Sequence, residues 1–132
     1  ECVGIGTIMC ARAYHELAKR DTIEVKPYEP LDPAWVRDVF GDLADGIFKE
    51  NENDVLKTFP PENIKEHWQE IRDVIATIPT AEELIDLYTK IGAKHSLAEL
   101  DIDESIRGEF LDISSAIRNR LTFARMTRLI VK

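Results

Sequence analysis

Cysteine is scarce, positive charge is in deficit and long apolar runs are missing, and each shortage removes a class of function. The two cysteines, Cys2 and Cys10, fall in one apolar segment, where a helix would hold them ~12 Å apart along its axis. That is too far for them to bridge each other. Basic residues number 17 against 25 acidic, a net charge of −8, which argues against a nonspecific grip on nucleic acid phosphates or anionic lipid. No stretch approaches the ~18 apolar residues of a membrane span, and no basic-then-apolar secretory signal is read. A reducing, cytoplasmic setting is the expectation. What is present is a globular composition: 132 residues, 44% hydrophobic and 32% charged, enough for one domain around one core. The chain opens at Glu1 inside an apolar element without an initiator methionine, so the expectation is a single helical domain, residues 1–132, cut from a larger protein.

Between Cys2 and Ala11 only Thr7 is conventionally polar, which predicts a helix buried on all sides by something outside the segment. Past Arg12 the pattern turns amphipathic, with Ala13 and Leu17 continuing the Ile5 and Met9 row. Gly4 and Gly6 each cost ~1 kcal/mol of helix propensity, a cost accepted where a backbone or ligand approaches closely. Residues 22–26 alternate but are stopped by Pro27, an edge strand at most.

Asp32-Pro33 starts a helix with a capping carboxylate and a proline at its first position. Its expected buried stripe is Trp35, Val36, Val39, Phe40, Leu43, Ile47 and Phe48. Pro60-Pro61 opens another, with Ile64, Trp68, Ile71, Ile75 and Ile78 at helical spacing. Thr80-Ala81-Glu82-Glu83 is a capping box for a helix with Leu84, Leu87, Tyr88 and Ile91 inward and a stop at Gly92. Ser96-Leu97-Ala98-Glu99 repeats that box over a short turn. Asp103 caps a helix bearing Ile106, Phe110, Ile113 and Ile117, and Thr122 caps a last one with Phe123, Met126, Leu129 and Ile130 inward. The expected fold is all-α, a compact bundle of about six helices without a sheet.

Tests for chemistry return little. His15, His67 and His95 lie in different elements without a ligand pair at helical spacing, which favours surface or boundary histidines over a metal trio. The acidic stretches 51–54 and 101–103 lack the glycine of a calcium loop and read as solvated turns and caps. Gly4 and Gly6 lack the third glycine and preceding strand of a dinucleotide fingerprint. Both thiols are expected in apolar surroundings and inert. Arg118-Asn119-Arg120, basic in an acidic chain, is a candidate anion or domain-interface site, with ordinary interhelical ion pairing the stronger reading.

The first seven residues, Glu1-Cys2-Val3-Gly4-Ile5-Gly6-Thr7, resemble the continuation of the His-Gly-Glu-x-Val-x-x-Gly segment of the superfamily of iron-containing alcohol dehydrogenases, glycerol dehydrogenases and dehydroquinate synthases. The resemblance spans the chain as the helical C-terminal half of such a two-domain, dehydroquinate synthase-like enzyme. Within it, the tail Ser115-Ala116-Ile117-Arg118-Asn119-Arg120-Leu121-Thr122 and the insert between Pro27 and Pro61 look most like the glycerol-1-phosphate dehydrogenases. The resemblance implies an NAD(P)-dependent oxidoreductase of phospholipid biosynthesis that interconverts dihydroxyacetone phosphate and sn-glycerol 1-phosphate, with a divalent metal (zinc, nickel or iron) held by an aspartate and two histidines. It places those three ligands before Glu1, so no catalytic, cofactor-binding or metal-binding residue falls on this chain. Glu1 is the cleft-adjacent position.

The partners it implies are an N-terminal nucleotide-binding domain and further copies in a homo-oligomer, and the piece alone is expected to be inactive. Uncovered apolar surface along residues 2–11 is expected to promote self-pairing. Two other readings stand beside this one: a freestanding helical interaction module, and the helical domain of a dehydroquinate synthase-like lyase.

Overall fold

The structure is a computed structural model that describes residues 2–132. It is built from helices and short 3-10 turns, and among the described residues the extended pairing is confined to one isolated antiparallel bridge, Val25 with Ile130. The alternating residues 22–26 therefore contribute a single bridge rather than a strand, flanked by the bonds Lys26 N to Leu129 O and Val131 N to Glu24 O, each 2.8 Å. The helices fall into two compact units, one made of Glu1–Thr22 with His67–Phe110 and the other of Ile23–Glu66 with Leu111–Lys132.

In the first unit α1 (Cys2–Ala18) packs against α5 (Trp68–Ile75) and α6 (Ala81–Lys90). Ile5, Ile8, Met9 and Ala11 are buried, and Leu97, Leu100, Ile106 and Phe110 pack with Ile5 and Met9. Within this chain the segment is therefore covered on one face only. The chain covers one face of α1 itself and leaves Val3 84% exposed, with Thr7 exposed and Cys10 and Tyr14 half-buried along the same stripe. The C-terminal carbonyls of α1, orphaned as at any helix end, are met by α5 side chains: Arg72 Nε donates to Ala18 O and Trp68 Nε1 to Arg20 O, both 2.9 Å.

Gly4 shows why its helix tolerates a glycine. A Cβ there would lie 2.8 Å from the Tyr88 ring and 3.1 Å from its hydroxyl, closer than packed side chains come. Gly6 is under no such pressure, its nearest neighbour being Phe110 Cζ at 3.9 Å. Gly4→Ala is expected to cost about 1–3 kcal/mol through overpacking, against a small gain in helix propensity, while Gly6→Ala is neutral or stabilising. Urea titrations of the two variants check this; equal effects would show that the Tyr88 contact does not constrain α1.

The second unit holds α2 (Pro33–Phe40), α3 (Ala44–Glu50), α4 (Glu62–Glu66), α7 (Phe110–Ala116, from Leu111 onward) and α8 (Phe123–Met126). One of its cores is Val36, Ala44, Ile47 and Ala116, with Leu31, Trp35, Phe40 and Phe48 around it. Trp35 and Phe40 meet edge to face at 6.1 Å, the arrangement their ring quadrupoles favour.

The capping expectations hold. Asp32 Oδ1 accepts from Ala34 N, Thr80 Oγ1 from Glu83 N and Thr122 Oγ1 from Arg125 N, and Ser96 Oγ accepts from Glu99 N while Glu99 Oε1 accepts from the Ser96 hydroxyl and from His95 N. The number of pieces differs from about six because three expected helices are interrupted. Gly41, at φ +52°, ends α2 and a 3-10 turn follows before α3. His67 separates α4 from α5, and residues Glu104–Glu109 after the Asp103 cap form a 3-10 segment ahead of α7. The Gly41 break displaces one position of its stripe: Ala44 is buried and Leu43 is 71% exposed, while Ile47 remains buried as expected. Leu87, Ile91 and Ile117, also expected inward, are exposed, while Ala81 in α6 and Ser115 and Ala116 in α7 are buried.

Candidate functional site

The densest polar arrangement lies in the second unit, around a side chain the sequence reading had not singled out. Thr122 starts α8, and three residues later Arg125 points inward with 0% exposure. Its Nη2 faces three acceptors: Asn51 Oδ1 at 2.9 Å, Ser115 O at 2.6 Å and Arg118 O at 2.7 Å. That nitrogen carries two hydrogens, so at least one is shared. Nη1 lies 2.9 Å from Asp54 Oδ1 without hydrogen-bond alignment, and Nε has no acceptor.

Asp54 is buried at 3% exposure. Its Oδ1 caps the following turn by accepting from Leu56 N, and its Oδ2 accepts from Arg128 Nη1, both at 2.9 Å. Burial on its own would push the Asp54 carboxyl up, but the Leu56 N–H, the Arg128 hydrogen bond and the charges of Arg125 and Arg128 together hold it below its ordinary value. Two guanidiniums on one carboxylate leave the cluster with a surplus positive charge. Arg128 also donates to Glu29 O at 3.0 Å and sits 5.9 Å from the centre of the Tyr28 ring. The Tyr28 phenol is pushed up, first by burial and then by the Asp54 charge, against the lowering pull of the two arginines.

Asparagines complete the cluster. Asn51 Nδ2 donates to Ile47 O and Ala116 O, each at 2.8 Å, so one side chain meets the carbonyl ends of both α3 and α7. Asn119 is held three ways: its N donates to Glu50 Oε1 at 3.0 Å, its Nδ2 to Asn53 O at 2.8 Å, and its Oδ1 accepts from Val55 N at 2.9 Å. The positive Arg125 beside the negative end of α7 is the favourable sense of the helix dipole. What the arrangement does is fix the segments 50–55 and 117–122 of this unit by charge and directional bonds. Its carboxylate is bound on both oxygens and is not free to move a proton.

Two sequence readings change here. The 51–54 stretch was expected to be a solvated turn; Asp54 does cap a turn, but it and Asn51 are partners of a buried arginine. Interhelical ion pairing was the stronger reading of Arg118 and Arg120. Both side chains are instead exposed and neither has an acidic partner among the described residues, while Asn119 between them carries the structural bonds.

The remaining candidates stay apart. His15 Nε2 lies 2.8 Å from Ile78 O, His67 pairs with Glu70, and His95 with Glu99. Among the described residues no three His, Cys, Asp or Glu side chains gather as a metal would require. Cys10 is a free, half-buried thiol pushed up by burial, against a hydrogen bond with Tyr14 that lowers it, in keeping with an unreactive role. Glu1, the cleft-adjacent position, lies outside the described residues.

The architecture is that of a mostly helical chain in two units, one stapled by a buried arginine. Comparison with family models, with curated proteins and with solved structures finds no match.

Proposed function

We propose that this chain is the C-terminal helical domain of an NAD(P)- and metal-dependent oxidoreductase resembling the glycerol-1-phosphate dehydrogenases, acting on dihydroxyacetone phosphate and sn-glycerol 1-phosphate. The observation that carries the reading is α1. The motif residues Cys2-Val3-Gly4-Ile5-Gly6-Thr7 form the start of the 17-residue helix α1, whose outer face is exposed at Val3 and Thr7 while its inner face is packed. A nucleotide-binding domain placed ahead of Glu1 would have that face to rest on. Among the described residues the histidines and carboxylates do not gather as the metal site of such an enzyme would require, so no step of the reaction is assigned to them. Their contribution is to build a stable wall beside the cleft, and catalytic chemistry would come from the metal and nucleotide held elsewhere.

The test is to express the chain together with the residues that precede Glu1 in its reading frame. Oxidation of NADH or NADPH dependent on dihydroxyacetone phosphate is expected once zinc, nickel or iron is added. No turnover with any of these metals, or carbon–oxygen lyase activity without net nucleotide turnover, would overturn the proposal. A freestanding interaction module is the second reading, favoured by the exposure of Leu43, Leu87 and Ile91; a reading frame that begins at Glu1 would support it.

A further inference from the structure

Residues 117–121 form a loop that Asn119 fixes in position while Ile117, Arg118, Arg120 and Leu121 stay exposed. Asn119 ties it to Glu50, Asn53 and Val55, Arg118 O accepts from the buried Arg125 at 2.7 Å, and Arg120 N donates to Arg118 O at 2.9 Å. Outward from this frame stand Arg118 and Arg120, with no acidic partner among the described residues. Ile117, 44% exposed, and Leu121, 52% exposed, flank them. The result is a preorganised surface, basic at its centre and apolar at its edges, whose conformational cost has been met before any partner arrives.

The same unit carries the opposite pattern elsewhere. Where the Gly41 break ends and α3 begins, Leu43 is 71% exposed between Asp42 and Asp45, which are exposed and likewise have no basic partner among the described residues. The exposed Ile117 and Leu121 that flank the two arginines call for an occupant with apolar surface of its own, which a polyanion lacks. A short acidic element with its own apolar residue is the complementary chemistry, and every copy of this chain supplies one.

We propose that the loop 117–121 is a self-association surface that receives the Asp42, Leu43 and Asp45 corner of a second copy. Arg118 and Arg120 meet the two carboxylates, and Leu43 covers Ile117 and Leu121. The two surfaces differ, so the contact is head to tail, and it closes into a ring or extends according to its rotation. This does not depend on the oxidoreductase reading, and it uses a different surface from the α1 stripe.

Sedimentation velocity of the 132-residue chain tests it. At ~20 mM salt the weight-average sedimentation coefficient is expected to rise with protein concentration, and at ~0.5 M salt, where exposed charges are screened within about 4–5 Å, the rise is lost. R118E/R120E and D42K/D45K should each abolish it while keeping the parent circular dichroism spectrum. An equimolar mixture of the two reversed proteins should associate again, since their altered surfaces complement each other. L43S weakens association at least tenfold. Should a reversed variant fail to fold, R118Q/R120Q takes its place, with loss of association expected. A wild-type chain that stays monomeric at low salt, association untouched by the substitutions, or a mixture that stays monomeric would each overturn the proposal.

Discussion

Replacing Arg125 with alanine is expected to remove about 3–5 kcal/mol of stability, the usual cost of leaving a buried charge without its partner. Against a total of about 5–15 kcal/mol for a domain, that is enough to leave the second unit largely unfolded in mild urea. The reason is what stays behind. Asp54 would keep Arg128 as its one counter-charge, beside the Leu56 N–H, and the Ser115 and Arg118 carbonyls and the Asn51 oxygen would lose their shared donor. Arg125→Met restores most of the volume but none of the bonds and should cost nearly as much. Arg125→Lys keeps the charge without the planar fork that reaches Asp54 and three acceptors from one position, so an intermediate loss is expected. The decisive comparison is R125M/D54L. If the single variants suffer mainly from orphaned charge, the apolar pair should recover much of the loss. Urea titrations followed by circular dichroism read these differences, and a loss under 1 kcal/mol for Arg125→Ala would mean that the network is incidental to stability.

That network was the part of the molecule least visible in the sequence, and the reason is physical. Helix starts are local events: Asp32, Thr80, Asp103 and Thr122 each bond an N–H two or three residues ahead, so four residues suffice to recognise them. The partners of Arg125 are not local. Asn51 is 74 residues away in sequence, and an arginine reads as surface by default because isolated charges are costly to bury. Its neighbour Thr122 signalled the turn that places it, but nothing nearby signalled Asp54.

Failures of the hydrophobic stripe have a simpler origin. Leu43 comes two residues after a glycine with positive φ, and the non-helical break takes it off the stripe, which Ile47 and Phe48 rejoin in α3. Periodicity therefore served well over Ile64, Trp68 and Ile75, which are buried, even though the helix is interrupted at His67. The α1 stripe shows a third case: composition reported that residues 2–11 are apolar, but only the packing against α5 and α6 showed which face is covered. The open face is the one on which the proposed function rests.

Asp54 should also govern how the second unit responds to acid. Its carboxyl is held below the ordinary value of 3.8 in the folded state, so the folded state binds a proton less readily than the unfolded chain. Stability then falls with pH wherever the unfolded chain takes up the proton first. The Asp54 contribution is fully present above 3.8 and is lost as pH drops through the lower folded value. Glu99, lowered chiefly by the His95 N–H, and Asp103, lowered chiefly by the Ser105 N–H, act in the same direction but are exposed and belong to the first unit. Asp54→Asn separates them. At pH 6 the variant is expected to lose about 3–5 kcal/mol, since Arg125 is left buried without a counter-charge. On acidification the wild-type curve should fall towards the variant, which keeps only the shallower slope of the remaining carboxylates. Urea midpoints measured at half-unit intervals from pH 7 down to about 2.5 provide the comparison. Parallel acid limbs for the two proteins would show that Asp54 titrates alike in both states, and that its two arginines hold it in place without holding its charge.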